Sequence, residues 1–317
     1  MNLTERSIFQ QFDLWRKAPI NDVRASQEMT YIVVGCGTSY YLAQSIASLL
    51  NLKGCAALAV PGDEWVKRPQ AYIPIGKSLH VLALSRSGET SETVMAAKKS
   101  RAAGLPVTAL TCAAGSSLTL HADTLLVAET HADEGIVMTA SASLMLLMGL
   151  RFAGYIVTEE HIKLAELLLH RLDVDVSPVL RGRSHFVFLG GGELYGIAQE
   201  GALKLQEMSL TYTQAYHPLE YRHGPISLVD ERTLLVMLYH ADTQIDEQVL
   251  VDELENKGAL VVGFGGKGTV SLPLDESSSV RCLIVLPALQ LLGERIAQAK
   301  GLDTRAPRHL TKVVRVA

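Results

Sequence analysis

Short apolar runs alternate with longer amphipathic stretches along the first half of the chain. The amphipathic stretches predict helices near 39–51, 91–103 and 139–156, and the apolar runs predict strands near 30–35, 55–60, 79–84, 106–111 and 124–128. Strands this apolar, separated by helices, are typical of a parallel sheet that is covered on both faces. The pattern predicts an α/β fold, and if the strands take the flavodoxin-like order 2-1-3-4-5, the first and third strands are neighbours.

The second half of the chain repeats the first at a constant offset. The segment IVVGCGTSYYLAQ starts at Ile32 and its counterpart VFLGGGELYGIAQ starts at Val187, an offset of 155 that two further strands also keep. Three strands with one offset and no gaps indicate two copies of one α/β unit. We therefore expect an N-terminal helical segment at 1–24, a first domain at 25–158, a linker helix at 159–176 and a second domain at 177–317.

Composition narrows the class of protein. The 317 residues are 48% hydrophobic and 20% charged, with a formal net charge of −4, which favours a globular core and argues against a nucleic-acid partner. Four cysteines without CxxC pairing fit neither a zinc site nor a disulfide framework, and they favour a reducing compartment. No apolar signal core opens the chain, and the apolar run LMLLMGL is far shorter than the ~20 residues of a membrane span. We expect a cytoplasmic protein without a membrane partner.

Two polar loops follow the first and third predicted strands. They are the glycine loop GCGTS (Gly35–Ser39) and the hydroxyl loop SRSGETSET (Ser85–Thr93). In such sheets ligands bind beyond the carboxyl ends of strands, where the strand order reverses. A helix predicted to start near Ser91 offers free N–H groups to an anion, and Ser39, Ser85, Ser87 and Thr90 add hydroxyl donors. Without a P-loop lysine, one small phosphate suits these donors better than a nucleoside triphosphate.

Two other interpretations of these loops remain. Thr90 or Ser91 could merely cap a helix, but the second repeat has YHADTQ in place of LSRSGE, so the fold itself does not require the hydroxyl groups. The glycine loop is also similar to the dinucleotide fingerprint G-x-G-x-x-G, although Tyr40 replaces the third glycine. The pattern favours a phosphate site over both alternatives.

The second repeat carries candidate catalytic groups. In EGALKLQEMS, Glu200, Lys204 and Glu207 are spaced four and three apart, so they share one helix face. A charged stripe is often just a solvated face, but this one is interleaved with small and apolar residues. His223 follows in EYRHGP, where it could also brace a turn. Carboxylates, an ammonium group and an imidazole together suit proton transfer at carbon.

These motifs, with the C-terminal GLDTRAPRHLTKVVRV, resemble the sugar isomerase (SIS) domain family. The chain is similar to paired SIS domains, such as the isomerase half of glucosamine-6-phosphate synthase, amino-sugar-phosphate deaminases, deglycases and ketose/aldose isomerases. The resemblance implies two tandem SIS domains, each with a five-stranded parallel sheet. It also implies a sugar 6-phosphate substrate, a homodimer with a shared active site, and no metal or other cofactor.

The resemblance also implies a role for each catalytic candidate. Glu207 matches the base that moves a proton between C1 and C2 of the open sugar. His223 matches the group that opens the ring, which in this family can come from the partner subunit, and Glu200 would orient it or relay protons. Lys204 would lie near the reacting oxygen, and Lys312 matches the lysine that meets the open-chain carbonyl, sometimes as a Schiff base. The positions expected to contact the phosphate or sugar are Gly37, Thr38, Ser39, Ser85, Arg86, Ser87, Gly88, Thr90, Ile136 and Met138.

Three departures from the synthase pattern bear on the reaction. Asn2 stands where glutamine-dependent amination requires an N-terminal cysteine, so we expect no glutaminase activity. Arg86 replaces a glutamine, which could add phosphate affinity or change the preferred sugar. The segment EGIVMTASAS from Glu134 is more similar to ketose/aldose isomerases. The expected activity is isomerisation or deamination of a 6-phosphorylated amino sugar or fructosamine, and the alternative is a non-catalytic phosphosugar-binding regulator.

Overall fold

The chain divides into two compact units. The structure is a computed structural model that describes residues 1–20, 22–73, 77–274 and 277–314, so Arg315 and Val316 of the C-terminal motif lie outside the described residues. The repeat-1 unit comprises Gln10–Thr158 and the C-terminal residues from His309 onward. The repeat-2 unit comprises Met1–Phe9 and Glu159–Arg308. The domain boundaries expected above stay a prediction.

The repeat-1 unit alternates strands and helices. After α1 (Leu3–Lys17), whose residues from Gln10 belong to this unit, its elements are β1 (Thr30–Gly35), α2 (Thr38–Leu52), β2 (Ala57–Pro61), α3 (Gly62–Lys67), β3 (Leu79–Ser85), α4 (Ser91–Ala102), β4 (Val107–Thr111), β5 (Thr124–Val127) and α5 (Ala140–Phe152). A short 3₁₀ helix (Ser117–His121) links β4 to β5.

The repeat-2 unit follows the same plan. Its elements are α6 (Glu159–Asp175), α7 (Ser177–Leu180), β6 (His185–Gly190), α8 (Glu193–Ser209), β7 (Thr213–Tyr216), β8 (Thr233–Leu238), α9 (Gln244–Asn256), β9 (Leu260–Phe264), β10 (Val270–Leu272) and α10 (Arg281–Ala299).

Both sheets are parallel and have the predicted order. One runs β2-β1-β3-β4-β5 and the other β10-β9-β8-β6-β7, so each repeat, counted along its own chain, has the order 2-1-3-4-5. Every residue of the central strands β1, β4 and β8 is buried, as expected when helices cover both faces. The predicted fold class is confirmed. Since β1 pairs directly with β3, the glycine loop and the hydroxyl loop leave neighbouring strands at the same edge of the sheet.

Each sheet has its own hydrophobic core. In the repeat-1 unit the β-branched and small residues of β1, β3 and β4 pack against Trp65 of α3 and Ala96 and Ala97 of α4. In the repeat-2 unit the apolar residues of β6, β8 and β9 pack against Leu250 and Leu254 of α9. The burial of these apolar faces is the main stabilising term of each unit.

The helix α10 was not predicted, and it corrects the expectation about apolar runs. α10 is 19 residues long and apolar enough to cross a membrane by length and composition, although 83% of its most apolar window is buried inside the protein. Pro287 lies inside it and interrupts the apolar sequence, and an internal proline normally ends a helical pattern. α10 packs closely on α8, since a Cβ at Gly293 would lie 3.0 Å from Met208 Sδ.

Candidate functional site

The glycine loop brings the start of α2 close to the sheet. A Cβ at Gly35 would lie 2.5 Å from the backbone carbonyl group of Ser39, so no larger residue fits there without a shift. Gly37 has φ 55°, a conformation that favours glycine, and Gly192 has the same φ at the equivalent position of the second repeat. Thr38 and Ser39, both predicted contacts, begin α2 and are buried.

The hydroxyl groups of the hydroxyl loop differ in their hydrogen-bond partners. Ser85 Oγ accepts a hydrogen bond from the Gly88 N–H (3.1 Å) and donates to Thr90 Oγ1 (3.2 Å), so it closes the loop upon itself. Ser87 Oγ accepts from the Glu89 N–H (3.2 Å) and is only partly buried. Thr90 occupies the N-cap position of α4 without a side-chain cap hydrogen bond, so capping does not account for its hydroxyl group. Ser87 and Thr90 are the hydroxyls best placed for a ligand.

Gly88 gives the hydroxyl loop its shape. It has φ +64°, and a Cβ there would lie 1.9 Å from Ser116 Oγ. The loop is held from the other side as well, because Glu89 accepts hydrogen bonds from the backbone N–H and the hydroxyl of Ser117 (2.8 Å each). The 3₁₀ helix that starts at Ser117 thus fixes the loop in front of α4.

Arg86 is bonded to protein carbonyls. Its side chain, 8% exposed, donates from Nη1 to the carbonyls of Gly135 and Ile136 (3.2 Å each) and from Nη2 to the carbonyl of Lys312 (2.8 Å). These contacts test neither the added phosphate affinity nor the changed sugar preference suggested for Arg86, so both stay predictions.

The C-terminal tail reaches the same segment. Lys312 Nζ donates to the carbonyl of Glu134 (2.7 Å), and Ile136 and Met138, two predicted sugar contacts, are half-buried in this stretch. The Glu134 carboxylate itself points to the start of α5, where it accepts from the backbone N–H groups of Thr139 (2.9 Å) and Ser141 (3.0 Å). The sequence analysis did not predict that Glu134 accepts hydrogen bonds from the first residues of α5. The signal was an acidic residue a few positions before a predicted helix start.

The three charged residues of α8 share one face, as their spacing predicts. Lys204 and Glu200 are fully buried, and 21% of the Glu207 side chain is exposed. Lys204 Nζ lies 3.5 Å from Glu200 Oε1 and forms a hydrogen-bonded ion pair with Glu207 Oε2. Burial lowers the pKa of Lys204, but the two carboxylates outweigh it and the net pKa is raised, so the ammonium group is charged at neutral pH. A buried cation between two carboxylates differs from the solvated stripe considered above.

His223 lies on the surface of the repeat-2 unit. It follows the 3₁₀ turn Leu219–Arg222, its backbone N–H donates to the Glu220 carbonyl (3.0 Å), and its side chain is exposed. In the described part of the chain, no hydrogen bond or ion pair joins its imidazole to Glu207. The role of His223 in ring opening stays a prediction.

The second repeat lacks the hydroxyl groups of the hydroxyl loop and has two buried carboxylates beside its equivalent loop. Glu193 takes the position of Thr38 and lies 3.6 Å from His240, the counterpart of Ser85. Glu247 accepts from the His240 backbone N–H (2.8 Å) and the Thr243 hydroxyl (2.9 Å), and burial raises the pKa of its carboxyl group. His240, Asp242 and Ile245 stand where the first repeat has Ser85, Ser87 and Thr90, so the hydroxyl groups distinguish the first repeat.

Comparison with known proteins agrees with this architecture. The SIS domain family matches residues 26–152 and 179–284. The crystal structure of glucosamine-6-phosphate deaminase from Thermotoga maritima is 30% identical, with a TM-score of 0.86 over 98% of this chain and 99% of that one. Tagatose-6-phosphate ketose/aldose isomerase from Escherichia coli, 23% identical with a TM-score of 0.82 over 96% of this chain and 94% of its own, shares the fold.

Relatives among curated sequences are longer. Glutamine–fructose-6-phosphate aminotransferase (isomerizing) from Pyrobaculum aerophilum is 30% identical over 311 residues, which cover 90% of this chain and 51% of the relative. The chain spans about half the length of the curated relatives it matches. Two matched SIS segments, covering most of the chain, establish the classification: the protein belongs to the SIS domain family.

Proposed function

We propose that the protein is a sugar-phosphate isomerase that acts on a 6-phosphorylated amino sugar or fructosamine and releases ammonia or an amine. The observation that carries the proposal is the charged face of α8, where a fully buried lysine lies between two carboxylates and one of these, Glu207, remains partly exposed. The similarity to a glucosamine-6-phosphate deaminase over nearly the whole of both chains supports deamination in particular.

The hydroxyl loop is the proposed phosphate site. Ser87 and Thr90 are partly exposed at the start of α4, where N–H groups and the helix dipole favour an anion. Ser85 and Gly88 hold the loop in shape. The phosphate contacts fix the substrate, so binding energy from a part of the sugar that does not react is available to orient the reacting carbons.

Glu207 is the proposed base. In an open-chain 2-amino aldose, removal of the C2 proton with protonation of the C1 oxygen gives an enolamine. Return of the carbon-bound proton to C1 with loss of one N–H proton gives an imine at C2. Water then adds to C2, and the C–N bond breaks to release ammonia and a ketose. Lys204 holds the Glu207 carboxylate by an ion pair, which fixes the base without consuming both of its oxygens. A positioned carboxylate contributes about 10²–10⁴-fold to such a step.

Further roles are proposed for His223 and Lys312. An exposed imidazole suits ring opening, in which a proton passes between the ring oxygen and the anomeric hydroxyl, and its exposure is compatible with service to a partner subunit in a homodimer. The Lys312 ammonium group would meet the carbonyl oxygen of the open sugar, where it steadies the developing negative charge.

A substrate panel tests the proposal. The purified protein is incubated with glucosamine 6-phosphate, other 6-phosphorylated amino sugars and 6-phosphorylated fructosamines, and ammonia, amine and ketose release are assayed. We expect turnover of at least one compound, with little or no turnover of its non-phosphorylated counterpart. Tight binding of a sugar phosphate without any turnover across the panel would instead favour a regulatory phosphosugar-binding protein.

A further inference from the structure

Arg86 connects two segments of the repeat-1 unit that are distant in sequence. Its guanidinium donates to the carbonyls of Gly135 and Ile136 on one side and to the carbonyl of Lys312 on the other. The backbone of Arg86 is itself fixed, because its carbonyl accepts from the Cys112 N–H (3.0 Å). The side chain thus starts from a rigid point at the end of β3.

The segment 134–136 is rigid for a separate reason. The Glu134 carboxylate accepts two backbone N–H groups at the start of α5, so this stretch is tied to the helix. All three of its carbonyls accept hydrogen bonds from charged side chains. The Glu134 carbonyl accepts from Lys312 Nζ, and the carbonyls of Gly135 and Ile136 accept from Arg86. The tail is consequently held at Lys312 through both its backbone and its side chain.

We propose that Arg86 is a positioning residue that fixes the backbone of Lys312. The inference rests on the proposed function, in which the Lys312 ammonium group meets the sugar carbonyl. If the ammonium group leaves the Glu134 carbonyl for a substrate, the bond from Arg86 to the Lys312 carbonyl still holds the backbone, so only the lysine side chain must rotate. The guanidinium reaches the two segments from two separate nitrogen atoms, whereas a lysine would have to reach both from one nitrogen atom.

Two substitutions separate this role from a phosphate contact. Arg86→Gln removes the charge, and Arg86→Lys keeps the charge but loses the two-nitrogen geometry of the guanidinium. With glucosamine 6-phosphate as the probe, we expect both variants to lose about 10-fold or more in kcat, the scale of a misplaced catalytic group, with little change in KM. Rescue by Arg86→Lys, or a raised KM with unchanged kcat, would overturn the proposal in favour of a charge that binds phosphate.

A second readout needs no activity. The carbonyl that Arg86 holds belongs to the Lys312–Val313 peptide bond, so trypsin should cut there only when the tail opens. We expect both Arg86 variants to speed this cleavage about 10-fold or more, while cleavage after Lys98 within α4 stays slow and reports that the unit remains folded. Arg101→Gln, which removes a surface arginine that donates to the Leu120 carbonyl, is the control and should leave tail cleavage unchanged.

The two readouts also separate failure of the inference from failure of the proposed function. If no variant and no wild-type protein turns over the probe, the function is wrong, but accelerated tail cleavage still supports the link between Arg86 and the tail. Unchanged tail cleavage in both Arg86 variants would refute the link, whatever the activity.

Discussion

The charged residues of α8 illustrate how burial changes the meaning of a sequence pattern. Glutamate and lysine at intervals of four and three are common on exposed helices, where each pair stabilises the helix by only about 0.2–0.5 kcal/mol. Here Lys204 and Glu200 are fully buried, and the Lys204 ammonium group lies beside the carboxylates of both Glu200 and Glu207. Removing one partner of such a pair leaves an uncompensated buried charge.

We therefore predict that Lys204→Met destabilises the protein by about 3–5 kcal/mol, since methionine keeps the helix propensity but leaves Glu200 without its cation. The double variant Glu200→Gln/Lys204→Met should be more stable than Lys204→Met alone. Lys163→Met, on the exposed side of α6, is the matched control and should change stability by less than about 0.5 kcal/mol. Chemical denaturation measures all three. A double variant no more stable than Lys204→Met would contradict the mutual compensation of Lys204 and Glu200.

At the scale of elements, the hydroxyl loop depends on one glycine. Gly88 combines a positive φ with contact to Ser116, whereas Gly115 nearby has φ +72° and open space where a Cβ would be. Alanine at Gly115 therefore suffers only backbone strain, and alanine at Gly88 suffers strain and a collision.

We predict that Gly88→Ala lowers stability more than Gly115→Ala and also weakens sugar-phosphate binding at least 10-fold, because the loop must shift. Thermal unfolding and calorimetric titration with sorbitol 6-phosphate, an open-chain sugar phosphate without a carbonyl group, measure the two effects. Equal behaviour of the two variants would show that the loop tolerates a side chain at position 88.

The elements themselves were largely predictable from the hydrophobic pattern. β1 spans its predicted residues, and the other four strands of the first repeat differ from their predicted ends by at most two residues. α5 ends four residues earlier than predicted because Gly154, with φ +88°, closes its last turn.

The hydrophobic pattern could not predict features that depend on insertions or on contacts between residues distant in sequence. Twelve residues separate β4 from β5, whereas only five separate β9 from β10. The offset of 155 therefore fails at the fifth strand and predicts nothing about α10. The α8 face was predictable because a helix fixes spacing. The link from Arg86 to Lys312 was not, because 226 residues separate its ends.

At the scale of the whole molecule, the two repeats share one strand order but differ in the side chains of their equivalent loops. The first has Ser85, Ser87 and Thr90 in its hydroxyl loop, and the second has His240, Asp242 and Ile245 at the equivalent positions. We predict that each chain binds one molecule of sorbitol 6-phosphate, and that Ser87→Ala/Thr90→Ala abolishes this binding while leaving the melting temperature within a few degrees. Isothermal titration calorimetry gives the stoichiometry. Two equivalent sites per chain would contradict the assignment.

The proposed homodimer gives a prediction of its own. If His223 serves the site of a partner subunit, inactive Glu207→Gln and His223→Ala proteins should regain part of the activity after subunit exchange, because mixed dimers contain one site with both groups intact. Ammonia release from glucosamine 6-phosphate measures the recovery. Absence of recovery after exchange has been verified by mass spectrometry would rule out the shared site.

The most direct test of the central claim follows the proton. Glu207→Gln keeps the shape of the side chain but removes the base, and the proposed phosphate site lies on another segment of the chain, so substrate binding should persist. In D₂O, we predict that the rate of deuterium incorporation at C1 or C2 of the sugar phosphate falls by about 10²-fold or more relative to wild type. A near-wild-type rate of incorporation by Glu207→Gln would contradict the account, because another group would then move the proton.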